Sequence, residues 1–142
     1  MIRAALIGLF LAALQPHAAP AEGVAELRVI PAAEADLAAL KWTARAVVVF
    51  ADSPADPLFE RQMRLIAADP AELAERDVVV ITDTDPAARS AIRAKLRPRG
   101  FSLVLIDKDG EAKLRKPLPW DVREITHAID KFPLRRQEIL GR

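Results

Sequence analysis

Phe50-Ala51-Asp52-Ser53-Pro54-Ala55-Asp56-Pro57-Leu58-Phe59-Glu60-Arg61 carries the chain from an apolar strand into a helix. The strand begins upstream, at Ala46-Val47-Val48-Val49. Its apolar, β-branched run is continuous rather than alternating, the signature of a strand buried on both faces. Val78-Val79-Val80-Ile81 repeats that signature one helix later. Two such strands joined through a helix make a βαβ unit in a parallel sheet. The helix starts at Ser53-Pro54 or Asp56-Pro57, each a capping residue with a first-turn proline, and Phe59, Met63 and Ile66 share one of its faces. The chain contains no cysteine, at this junction or elsewhere. Because the thiolate is the species that attacks a disulfide, thiol–disulfide exchange and thiol-based peroxide chemistry are excluded.

Before this unit, Leu27 to Ile30 reads as a short edge strand and Ala33 to Leu40 as a short helix. After its first helix, Asp69-Pro70-Ala71-Glu72 begins a further helical turn by the same cap chemistry. Asp85-Pro86 starts a helix that turns Ala88, Ile92 and Leu96 inward, and Arg97-Pro98-Arg99-Gly100 ends it. Leu103 to Ile106 and Glu111 to Arg115 form a hairpin across Asp107-Lys108-Asp109-Gly110, where the Asp-Gly pair supplies positive φ. The second arm has Leu114 as its one large apolar residue, so it is an edge strand guarded by charge. Asp121 with Glu124 predicts a capping box, and Val122, Ile125, Ile129 and Phe132 form the inner face of a last helix. Pro133 ends or kinks that helix, and Leu134 to Leu140 continues as a short charged turn. The order is β-α-β-α-β-β-α, an α/β fold with a central mixed sheet, helices on both faces and the arrangement called thioredoxin-like.

Met1-Ile2-Arg3, the apolar run Ala4 to Leu14 and the small residues of Ala19-Pro20-Ala21 read as a secretory signal cleaved before Glu22. That run falls short of the ~20 residues a membrane-spanning helix needs. The expectation is a signal peptide at 1–21 and one domain at 22–142, in a periplasmic or secreted protein without stable membrane insertion after cleavage. With no Cys, no lipid anchor attaches there. The chain has 21 Lys and Arg against 20 Asp and Glu, and losing Arg3 with the signal brings the formal charge to zero. A neutral domain is not built for general nucleic-acid attraction. Half of the residues, 51%, are hydrophobic, so a core can replace the disulfides common in small exported proteins.

Several stretches carry a family resemblance. They are Trp42-x-x-Arg45, Gln62, Glu75-Arg76-Asp77, the hairpin Leu103-Val104-Leu105-Ile106-Asp107-Lys108-Asp109-Gly110 and the tail from Ile129 to Glu138. Over about residues 40–140 the chain resembles a thioredoxin-like domain of unknown function. That domain occurs in short exported bacterial proteins and in animal matrix proteins of the sushi-repeat-containing and coiled-coil-domain-containing kinds. The resemblance implies the thioredoxin-like fold and an extracytoplasmic setting, and no catalytic residues. Against true thioredoxins the departures are the missing cysteines and Ser102, which lies where the cis-proline is expected.

The candidate chemistry is acidic. Asp52 and Asp56 follow the first buried strand and Asp83 and Asp85 the second, at the carboxyl edge where α/β sheets bind ligands. Four carboxylates there could hold Mg²⁺ or Ca²⁺, although Asp56 and Asp85 each precede proline and read as helix caps. His127, between Arg123 and Lys131 at four-residue spacing, faces solvent, and one histidine without cysteines makes no zinc site. Ser53 lacks the setting of a nucleophile. Arg135 and Arg136, with Arg97 and Arg99, could grip a carboxylate or phosphate, or the tail arginines could fold back onto Asp130 or Asp77. Trp42 and Arg45 read as a clamp where the chain enters its first buried strand. Trp120 packs the hairpin exit against the last helix and, if partly exposed, anchors a partner. No cofactor is expected. The preferred reading is a non-catalytic interaction module of the cell envelope with a protein partner. A metal- or carboxylate-dependent enzyme at the Asp52/Asp83 edge and a redox-inactive chaperone are the alternatives.

Overall fold

A computed structural model describes Gly23 and residues 25–142 of the chain; the expected signal peptide lies outside the described residues. Five strands, β1 (Arg28–Pro31), β2 (Arg45–Phe50), β3 (Val78–Asp83), β4 (Ser102–Ile106) and β5 (Ala112–Lys116), form one sheet in the order β1-β3-β2-β4-β5. β1, β3 and β2 run parallel, and β4 and β5 are antiparallel additions. Central β2 is buried along its whole length, as its unbroken apolar run requires.

Alternate residues of the strands feed two cores. Val47, Val49, Val78, Val80, Leu103 and Leu105 face α2 (Pro57–Ala68), α3 (Pro70–Ala74) and α5 (Val122–Ile129) through Ile66, Leu73, Ile125 and Ile129. Val48, Phe50, Val79, Ile81, Val104 and Ile106 pack on the other face against Ile92 and Leu96 of α4 (Ala91–Leu96) and Leu37 and Leu40 of α1 (Leu37–Leu40). The last helix, α6 (Pro133–Leu140), starts at the proline that ends the preceding turn. Helices therefore cover both faces, as the pattern required.

The structure selects between the two expected starts of α2 and corrects three other local expectations. Of the two possible starts for α2, Asp56 is the cap, accepting from Leu58 N–H at 2.8 Å, while the Ser53 hydroxyl accepts only from Ala55 N–H in the preceding turn. Asp69 and Asp85 stand at helix starts without a side-chain capping bond. The helix expected from Asp85 is also split. Pro86–Ala88 is a single 3₁₀ turn with Ala88 exposed, Arg89 takes φ 48°, and α4 begins afresh with Ser90 capping Arg93 N–H at 3.1 Å. Ser90 outcompetes Asp85 because Asp83 fixes its hydroxyl, as described below. The segment at Ala33 to Leu40 divides likewise into a 3₁₀ turn, Ala32–Glu34, and α1, capped by Asp36.

Between β4 and β5, Gly110 at φ 81° closes the turn, its N–H donating to Asp107 C=O at 2.9 Å. The Asp121–Glu124 capping box forms with both reciprocal bonds, at 2.8 and 2.9 Å. Val122, Ile125, Ile129 and Phe132 are all buried.

Candidate functional site

The acidic edge does not assemble as four free carboxylates. Asp83, 4% exposed, is held by the Arg93 guanidinium at 2.9 and 3.1 Å and accepts from the Ser90 hydroxyl. Burial alone would raise the Asp83 carboxyl, but Arg93 and Ser90 outweigh it and hold the group below the usual carboxylate range. Arg93 also donates to the main-chain oxygens of Ala51 and Asp83, tying the ends of β2 and β3 together. Asp52 and Asp85 are exposed and Asp56 is the α2 cap. Among the described residues no three His, Cys, Asp or Glu side chains gather as a metal-ligand set. The acidic edge is thus a strand-end clamp centred on Asp83 and Arg93.

The tail arginines divide. Arg135 is 6% exposed and lies in an ion network, its Nε 3.2 Å from Asp130 and its guanidinium 3.3 Å from Glu138. It is structural and cannot meet a partner. Arg136 is exposed. The network extends inward to Arg45, 1% exposed, which donates to Asp107 at 2.9 Å, to both oxygens of Glu138 and to Arg76 C=O. Lys108 adds contacts of 2.7 Å to Glu138 and Asp77. Burial opposes ionisation of Glu138, yet Arg45, Lys108 and Arg135 bring its carboxyl down to about 2. Arg76 binds Asp130 through two parallel bonds of 2.9 and 3.0 Å and Glu72 at 2.9 Å. Arg45 is therefore the expected clamp. Trp42 is not, through its ring: the residue is 64% exposed beside Lys41, and its main-chain N–H, donating to Lys108 C=O at 2.6 Å, does the holding, at φ 69°.

Trp120 occupies the one expected position that builds a surface. It lies half-buried between β5 and α5, and its main chain is gripped twice by a fully buried amide. Gln62 Nε2 donates to Trp120 C=O at 2.7 Å, while Trp120 N–H donates to Gln62 Oε1 at 2.9 Å. Lys116 Nζ lies 4.8 Å from the ring centroid, a cation–π distance. Beside the ring opens a pocket of about 380 Å³ with Leu114, Ala128 and Phe132 as its apolar wall and Lys113, Glu124, His127 and Lys131 at its rim. Lys113 bonds Asp109 and Glu111, and Asp109 above all holds its ammonium above the usual lysine range. Glu124 is engaged in the capping box. Among the described residues, the cations here that no carboxylate pairs are Lys131 on the rim and Lys116 over the Trp120 ring, and Glu124 adds a negative charge to the same rim.

Sequence reasoning picked out Trp120 but missed why its position is fixed. A lone Gln on the otherwise apolar inner face of α2 is the signal that could have marked Gln62, since a buried amide must find both donor and acceptor partners.

With this geometry in place, the family model for the domain of unknown function DUF4174 matches residues 36–138, and the chain belongs to that family. No curated protein matches. Among solved structures, the chain is similar to the reduced 2-Cys peroxiredoxin of Plasmodium vivax, with TM-score 0.59, 12% identity, and coverage of 73% of this chain and 85% of that one. It is also similar to a chloroplastic thioredoxin z, with TM-score 0.56, 19% identity, and coverage of 75% and 93%. At such identities the likeness establishes the thioredoxin-like fold and nothing of activity.

Proposed function

We propose that this protein is an exported, non-redox interaction module whose Trp120 groove receives an acidic segment of a partner protein in the periplasm or extracellular space. The observation that carries the reading is the groove itself: a tryptophan held in place by buried Gln62, an apolar floor, and free cations at its edge. Aromatic side chains set rigidly in place are the usual energetic centres of protein interfaces. Lys131 and Lys116, which no carboxylate pairs among the described residues, favour a partner with Asp or Glu flanking an apolar side chain. The leader-like N-terminus supplies the compartment, and a partner in the cell envelope or of matrix type follows from it.

The test uses protein carrying Trp42→Phe, so that Trp120 alone reports, titrated with an acidic peptide containing a central Leu or Phe. Binding is expected in the micromolar to submillimolar range, with a shift in Trp120 emission and a roughly tenfold loss on Lys131→Glu. Equal binding of the charge-reversed peptide, or an unmoved emission spectrum, overturns the groove reading. Export is tested separately by fusing residues 1–25 to a reporter active only outside the cytoplasm; an inactive fusion overturns the compartment.

A further inference from the structure

A second pocket, remote from Trp120, lies where α4 ends and β4 begins. It has about 380 Å³ and is lined by Arg97, Arg99, Phe101, Ser102, Arg115 and Pro117. Three of the six lining side chains are guanidinium groups and none is acidic. Among the described residues none of the three pairs with a carboxylate, although the chain as a whole has nearly as many acids as bases. Buried Arg45 and Arg135 and half-buried Arg93 are matched by carboxylates, whereas Arg97, Arg99 and Arg115 are exposed side chains that line this pocket.

Part of the positive charge is met locally. Arg115 donates to Leu96 C=O at 2.6 Å, at the carbonyl end of α4. Arg97 stands at the C-cap of the same helix with φ 48°, which turns the chain into the pocket. A single helix end offsets about half an elementary charge, far less than three cations. The remaining charge faces solvent, where an anionic ligand can meet it. Ser102, 4% exposed, contributes a hydroxyl to the lining, and the adjoining Phe101 and Pro117 give the pocket an apolar wall.

From these features we infer that the pocket is a binding site for a small phosphate monoester whose ester group is apolar or aromatic. Guanidinium groups bind phosphate through paired N–H donors, and a doubly charged head group suits three cations better than a single carboxylate does. The ester group lies against Phe101 and Pro117. This site is independent of the Trp120 groove and does not rest on its having a partner.

Isothermal titration at low ionic strength uses phenyl phosphate, inorganic phosphate and succinate as separate probes. Phenyl phosphate is expected to bind submillimolar, inorganic phosphate more weakly for want of the apolar contact, and succinate at least about tenfold more weakly than phenyl phosphate. Arg99→Gln, a change at an exposed residue, lowers phenyl phosphate affinity about tenfold. Arg97→Gln combined with Arg99→Gln lowers it further, with the unfolding midpoint unchanged. Arg136→Gln, exposed but elsewhere, leaves it as it was. Absence of binding by all three probes, succinate equal to phenyl phosphate, or an equal loss with Arg136→Gln each overturns the site.

Discussion

Arg45 shows what a single charge costs and secures in this fold. A guanidinium that is 1% exposed survives only because Asp107, Glu138 and the Arg76 carbonyl all accept from it. Arg45→Ala leaves buried Asp107 without its cation, with Glu138 still held by Lys108 and Arg135, and is expected to destabilise the protein by about 3–5 kcal/mol, measured by urea unfolding. A loss below about 1 kcal/mol would show the network to be surface-like. Asp83→Asn tests the other clamp: Arg93 keeps its two main-chain acceptors but loses its counter-charge, and a loss of roughly 1–3 kcal/mol is expected with no change in bound metal. Glu138 sets the pH response. Its carboxyl is depressed from 4.5 to about 2, so its contribution is complete above pH 4.5 and disappears as pH falls toward 2. The urea midpoint should decline through that window, and Glu138→Gln should flatten the decline.

Among the elements, α5 and α6 are held by different forces. The first is an amphipathic helix locked at its start by a complete capping box, and Asp121→Ala is expected to cost about 1 kcal/mol in thermal or urea unfolding. The second buries little apolar surface and is fixed mainly through Arg135 and Glu138. Its register follows from the charge network. A chain ending at Phe132 would leave Arg45 with Asp107 as its one carboxylate, and it should unfold at distinctly lower temperature than the full protein. A short helix near the chain's end is therefore structural, although little of its surface is apolar. The capping box was legible from Asp121 and Glu124 because both partners lie three residues apart. The start of α4 was not, because Ser90 owes its role to Asp83, a residue in another strand.

At the level of the whole protein, stability comes from two apolar cores on either side of one sheet and needs no covalent cross-link. The unfolding temperature should accordingly be the same with and without a reductant, read by circular dichroism; a shift would contradict the cysteine-free account. The sequence by itself determined the absence of a thiol, the buried parallel strands, the hairpin and the last amphipathic helix. Each is a local signal, written in residue type or in a period of two or 3.6. Only the tertiary structure decided the partners of the charged residues. It gave Asp83 to Arg93, took Arg135 out of reach, and brought buried Gln62 against Trp120 across 58 positions of chain. Charge and hydrogen-bond pairing act across space with no periodic trace in sequence, so carboxylates that looked alike along the chain became a clamp, a cap and two exposed side chains.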